Sequence, residues 1–257
     1  MRLVVLGGTG AVGAHVVRQA LERGHAVVAA SRHGKAPTSA TGRVVDLRTG
    51  EGLRKALNRD DVVIDVTNVQ VTRAKPAIEA FTGMASQVVI AADAARVARV
   101  VVLSIVGIDD VPLGYYRGKL AQEAAYRLAT TPVTVLRATQ FHEFVGQVLP
   151  SMTKGGIAFV PRSVIQPVAA ADVATALLDA AEGPYVERAE DIGGPEIHPL
   201  PDLAQRWVDA HGGSPRVMAT WLPGRAASRM ANGGLLLTSG RTTTLTFDEW
   251  LRSPRST

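Results

Sequence analysis

Short apolar runs rich in β-branched residues recur through the first half of the chain, and longer Ala-rich stretches with polar residues at helical spacing separate them. Runs of this length, bounded by Gly, Asp or Ser, are strand signals, and 3.6-residue apolar spacing is a helix signal. Strands are predicted at residues 3–6, 26–30, 43–46, 62–65, 100–104 and 133–137. Helices are predicted at 11–23, 51–58, 73–96 and 115–129, with Thr82-Gly83 a candidate break in the third. Strands that are apolar on both faces and alternate with helices belong to a parallel sheet covered on both sides. The expected fold class is therefore α/β, a Rossmann-type doubly wound parallel sheet that binds ligands beyond the carboxyl ends of its strands.

After about residue 140 the periodicity loosens. A short helix at 140–149, a strand at 164–168 and helices at 171–181 and 202–211 are expected, with residues 247–251 as a closing apolar segment. No internal repeat or low-complexity linker divides the chain. The expectation is a single dinucleotide-binding domain over residues 1–257. Residues 140–257 form its small C-terminal substrate-binding region, pocket and lid, with 152–161 and 217–237 as adaptable apolar segments.

The first strand runs into Gly7-Gly8-Thr9-Gly10-Ala11-Val12-Gly13, which fits G-x-G-x-x-G from Gly8 and G-x-x-G-x-x-G from Gly7. Such glycines permit a tight turn, let backbone amides approach a pyrophosphate and let helix and strand pack closely. The phosphates then face the N–H groups that open the helix. The second strand ends in Ala30-Ser31-Arg32-His33-Gly34-Lys35, with no Asp or Glu to take ribose hydroxyls. Arg32, with Ser31 or Lys35, can hold a 2′-phosphate through charge-assisted hydrogen bonds, so the expected cofactor is NADP(H). By position, Asp46-Leu47 is expected near the adenine and Thr67-Asn68 along the cofactor's path.

Tyr115 and Lys119 form Y-x-x-x-K. On a helix they share one face, and an ammonium beside a phenol favours the phenolate, drawing its pKa from about 10 toward the working range. Lys119 could also hold the nicotinamide ribose. Ser104 ends the fifth strand, where a hydroxyl can polarise a substrate carbonyl or finish the strand against local backbone. His142 follows the sixth strand and is either a donor to the substrate or a structural residue at a helix start.

Composition narrows the picture. The chain has 257 residues with no cysteine, which excludes disulfides and thiolate chemistry. The net charge is +5, but the basic residues are scattered rather than gathered in a stripe, so no nucleic-acid partner is expected. The six histidines show no metal-ligand spacing, and no metal is expected. The apolar run after Met1-Arg2 is too short for a signal peptide and no stretch approaches a membrane span, so a cytoplasmic protein is expected, monomeric or homodimeric.

Taken together, Val4–Gly13, Ser104-Ile105-Val106-Gly107-Ile108, Tyr115–Lys119 with Leu120 and Glu123, Leu136–Phe144, and Gln166-Pro167-Val168-Ala169 with Asp172-Val173-Ala174 resemble the short-chain dehydrogenase/reductase superfamily, more narrowly its atypical, NmrA-like branch. The resemblance implies Tyr115 as proton donor, Lys119 as its partner and Ser104 as a third member. Ser104 and Tyr115 stand eleven positions apart, closer than is usual among active members. The expected activity is NADPH-dependent reduction of a small carbonyl, enone or quinone-like substrate. The alternatives are an NADP(H)-sensing regulator without turnover and an isomerase, epimerase or dehydratase on the same fold.

Overall fold

The computed structural model describes residues 1–37 and 39–253. They form two compact units, the first from residues 1–105, 113–137 and 171–190, the second from 106–112, 138–170 and residue 191 onward. The division is not a single cut near residue 140, because each unit takes a segment from the other's half of the chain.

The first unit alternates strand and helix: β1 (Arg2–Leu6), α1 (Ala11–Glu22), β2 (Ala26–Ser31), β3 (Thr41–Val44), α2 (Leu53–Ala56), β4 (Val62–Asp65), α3 (Ala74–Ala95), β5 (Arg99–Ile105), α4 (Gly114–Tyr126) and β6 (Val133–Ala138). The strands lie in the order β6-β5-β4-β1-β2-β3. β1 pairs in parallel with β2 (Leu3 opposite Val27) and with β4 (Leu3 opposite Val62), and β2–β3 and β4–β5 are also parallel. This order reverses direction between β1 and β4, the switch point where a doubly wound sheet opens a crevice. Val4, Leu6, Val28, Val63, Val100 and Val102 carry the sheet into a core that Met84, Val88 and Ala92 of α3 close.

All six expected strands and all four helices of this unit are present, with instructive differences at their ends. The second helix shrinks to Leu53–Ala56, because Gly52 enters it with φ +75° and Leu57 leaves in extended backbone. α3 runs unbroken through Gly83, whose helical neighbours hold it although a glycine costs about 1 kcal/mol there relative to alanine.

The second unit contains α5 (His142–Met152), β7 (Thr153–Lys154), β8 (Ile157–Pro161) and β9 (Val164–Ile165). The next helix, α6 (Ala170–Glu182), belongs almost wholly to the first unit. There Gln19 donates to the Ala171 carbonyl, and Arg23 pairs with Asp179 and Glu182, each at 3.0 Å. The second unit resumes with β10 (Ile192–Gly193), β11 (His198–Pro199), α7 (Leu200–Ala210), β12 (Arg216–Thr220), α8 (Arg225–Ala231), β13 (Arg241–Thr242) and α9 (Phe247–Arg252). β8 pairs antiparallel with β7 and parallel with β12. Val145, Leu149, Val160, Leu203, Val208 and Phe247 form a separate core. The expected strand at 164–168 stops at Ile165, ahead of Pro167, which has no N–H for a ladder. Among the described residues no helix is long and apolar enough to cross a membrane.

α3 and α4 pack closely because residue 118 has no side chain: a Cβ there would lie 2.6 Å from the Phe81 ring and 2.9 Å from the Ala77 carbonyl oxygen. Gly118→Ala is expected to cost about 1–3 kcal/mol through overpacking. Gly83→Ala, on an exposed face with nothing within 4 Å, is expected to stabilise by about 1 kcal/mol. Equilibrium urea unfolding of the two variants reads both signs.

Candidate dinucleotide and active site

The turn after β1 is held by its own backbone. Gly7 adopts φ +84°, and the N–H groups of Gly7 and Gly8 both donate to the Ala30 carbonyl at the end of β2, at 3.0 and 3.2 Å. A Cβ on Gly13 would overlap the Gly7 carbonyl, and one on Gly8 would stand 3.1 Å from the Ala29 Cβ. A Cβ on Gly7 would lie 3.2 Å from the Val66 carbonyl oxygen, which places the turn beside the chain leaving β4, at the switch point. Thr9, Gly10 and Ala11 are exposed, while Val12 is buried in the core. α1 opens at Gly10 with no side-chain cap, so its first amides are not taken by a side chain. A cradle of bare backbone at an uncapped helix start fits a dinucleotide pyrophosphate.

At the end of β2 the Gly34 N–H donates to the Ser31 carbonyl, closing a turn that leaves Arg32, His33 and Lys35 exposed. The Ser31 hydroxyl is buried without a hydrogen-bond partner. Such an orphaned hydroxyl costs stability unless something completes it, and a cofactor phosphate or ribose would. Asp46 is already engaged. The Arg48 side chain at 2.7 Å and its backbone N–H at 2.9 Å hold that carboxyl below the usual range, and the charge of Arg32 adds to the effect. Leu47 is buried in the core of the unit.

Thr67 gives its N–H and its hydroxyl to the Asp65 carboxylate, at 2.9 and 2.6 Å. Asn68 accepts the Tyr115 hydroxyl at 3.0 Å. Burial raises the Tyr115 phenol to about 12, with the Asn68 contact pulling weakly the other way. The expected depression by Lys119 is absent here. Lys119 is buried and turns its ammonium to the Leu103 carbonyl at 2.8 Å and to the Gln122 side-chain oxygen. The two residues do share a face of α4. The Tyr115 ring meets Phe81 edge-on at 5.7 Å, and Lys119 Nζ lies 5.2 Å from the same ring.

Ser104 is buried and its hydroxyl completes no hydrogen bond among the described residues, although it stands near enough to Glu123 to favour that carboxylate. His142 lies in the second unit and is fully buried. Its Nε2 faces the Leu245 carbonyl at 3.2 Å, and since a carbonyl can only accept, Nε2 carries the proton. Its ring packs against Phe247 and Trp250, and burial pushes its pKa down to about 4. The contacts are those of a neutral packing residue.

Sequence reasoning missed a buried polar network behind the Tyr–Lys pair. Asp65 also accepts from Gln122 at 3.2 Å and from the Tyr126 hydroxyl at 2.6 Å, while Arg137 grips Glu123 with two bonds of 2.8 and 2.7 Å. The available signal was spacing. Positions 119, 122, 123 and 126 fall on one helical face, and that face is polar yet buried.

Residues 7–184 match the NAD(P)H-binding family. The chain belongs to that family. No curated protein matches the sequence. Among solved structures, a nucleoside-diphosphate-sugar epimerase from Staphylococcus aureus shares 15% identity at a TM-score of 0.74, covering 98% of this chain and 100% of its own. The Thermus thermophilus UDP-glucose 4-epimerase in complex with NAD shares 19% at 0.67, covering 94% and 95%. A short-chain dehydrogenase/reductase superfamily protein from Agrobacterium tumefaciens with bound NAD shares 17% at 0.69, covering 98% and 95%. This family member therefore has the fold of the short-chain dehydrogenases/reductases and their epimerase relatives, as the sequence motifs implied.

Burial opposes ionisation of Glu123, but the Arg137 hydrogen bonds outweigh it and hold the carboxyl below its usual range. A depressed folded pKa adds stability above the unfolded value, and that stability is lost as pH falls through the folded one. Glu123→Gln, which leaves Arg137 without this carboxylate, is expected to cost about 3 kcal/mol at pH 7. The cost should shrink in acid below about pH 4, as measured by urea midpoints across pH.

Proposed function

We propose that the protein is an NADPH-dependent reductase of the atypical, NmrA-like short-chain dehydrogenase/reductase branch, acting on a small carbonyl, enone or quinone-like compound. The observation that carries the reading is the state of Tyr115. It is a half-buried phenol that donates to Asn68, just past β4, at 3.0 Å; like any phenol it is protonated at neutral pH, and burial pushes it further up, to about 12. A protonated phenol is a donor at rest rather than a base.

The backbone of Gly7 to Gly13 and the first turn of α1 would hold the pyrophosphate, Ser31, Arg32 and Lys35 the 2′-phosphate, and Thr67 and Asn68 would border the nicotinamide half. When bound, the cofactor supplies hydride. Tyr115 turns its hydroxyl from Asn68 to the substrate oxygen and gives up its proton there. Lys119 contributes a positive charge on the same helix face as the phenolate left behind. The protein's contribution is orientation and charge around the reacting atoms.

Fold likeness to sugar epimerases supports a second reading, in which Tyr115 transfers protons with no net consumption of NADPH. A screen over carbonyls, enones and quinones separates the readings: NADPH oxidation supports the reductase, product without oxidation supports the isomerase. Tight binding without either would make the protein a cofactor sensor. Tyr115→Phe is expected to lower turnover by about 100-fold or more while NADPH affinity stays unchanged. Arg32→Ala is expected to weaken NADPH about 10- to 100-fold in calorimetry and leave NADH unaffected. Unchanged turnover in the first variant removes Tyr115 from the mechanism, and unchanged NADPH affinity in the second removes Arg32 from cofactor selection.

A further inference from the structure

Of the five lysines in the chain, four are exposed and Lys119 is buried. An ammonium has three donors. Lys119 gives one to the Leu103 carbonyl of β5 and one to the Gln122 oxygen, and it faces the Phe81 ring of α3. Among the described residues no carboxylate touches it. A buried charge without an opposite charge is costly, so the compensating anion has to be close by.

Asp65 supplies it. The carboxylate at the end of β4 is 1% exposed and accepts four hydrogen bonds, from the Thr67 N–H and hydroxyl, Gln122 and Tyr126. Among the described residues no cation pairs with it directly. Gln122 joins the two charges: its oxygen faces the Lys119 ammonium and its amide N–H donates to Asp65. A neutral amide thus stands between an ammonium and a carboxylate, oriented to serve both.

We propose that Asp65 is a positioning residue, the buried counter-ion that holds Lys119 charged and in place through Gln122. This rests on reading Tyr115 and Lys119 as the chemical pair. The charged groups that act on Lys119 are Asp65 from β4 and Glu123 from its own helix. Phe81 of α3 and the Leu103 carbonyl of β5 are uncharged, and Glu123 is taken up by Arg137 of β6. Burial pushes Lys119 down to about 8, and Asp65, then Glu123, push it upward. Removing the Asp65 charge should therefore let the ammonium lose its proton at still lower pH.

The test is an NMR titration of the full chain labelled with ¹³C at lysine Cε, with the Lys119 signal assigned by its loss in Lys119→Arg. In Asp65→Asn the Lys119 midpoint is expected to fall by about one pH unit or more. In Tyr126→Phe, which removes a hydrogen bond from Asp65 but no charge, it should barely move. Gln122→Met keeps the carboxylate but cuts the link, and should also lower the midpoint, so it decides the matter if Asp65→Asn does not fold. An unmoved midpoint in Asp65→Asn, or in Gln122→Met should the first not fold, overturns the assignment. A fall in Tyr126→Phe as large as in Asp65→Asn does so as well, since it would show a packing effect. Retained turnover in Tyr115→Phe would remove the catalytic reading and leave this titration standing. An unmoved midpoint would remove Asp65 and leave Tyr115.

Discussion

The constraint on which the first unit depends is volume at the point where β1 hands over to α1. A helix can aim its uncapped N-terminus at the end of its own sheet only if the intervening chain folds back within van der Waals contact of itself. At Gly13 even one methyl group would overlap the Gly7 carbonyl. The same close approach lets the Gly7 and Gly8 amides reach the end of β2. The entry of α1, with residues 9–11 exposed at its start, follows from that single absence of side chains.

The chemistry sits on a second constraint, burial of charge. α4 puts Lys119, Gln122, Glu123 and Tyr126 on its inner face, where apolar residues would ordinarily lie. Each charge there is answered: Glu123 by Arg137 at contact distance, Lys119 by the Leu103 carbonyl and, across Gln122, by Asp65. Buried polar groups so arranged specify one packing of α4 against β4, β5 and β6, because any other leaves a charge unanswered. Tyr115 stands at the start of this helix, and its position follows from the residues behind it.

The strands of the first unit other than β3, whose Thr41–Val44 are mostly exposed, were legible in the sequence because they are largely apolar on both faces, and the glycine turn because its residue types have few other uses. Element ends were less so. α2 starts at Leu53 rather than Glu51 because Gly52 is left-handed, and stops at Ala56 rather than Asn58 because Leu57 is extended, backbone geometry that no periodicity reports. The Tyr115–Lys119 pair was found by spacing, but the direction in which the ammonium turns was not, since it is set by Leu103 and Gln122. The burial of Leu47 and His142 was not legible, because a linear sequence does not reveal it. In the second unit, two-residue strands such as β7 and β13 carry too few residues for alternation to register.

α6 gives the first unit an unusual assembly history. The helix comes from residues 170–182, yet its partners, Gln19, Arg23 and His25, lie near the start of the chain. During synthesis β1 to β6 and α1 all leave the ribosome before this helix, with more than half of the chain between Arg23 and its partners. At roughly 5–20 residues per second, that wait lasts on the order of ten seconds. Through that interval α1 carries Arg23 with neither of its acidic partners yet made, and a nascent sheet flank depends on whatever else shields it from neighbouring chains.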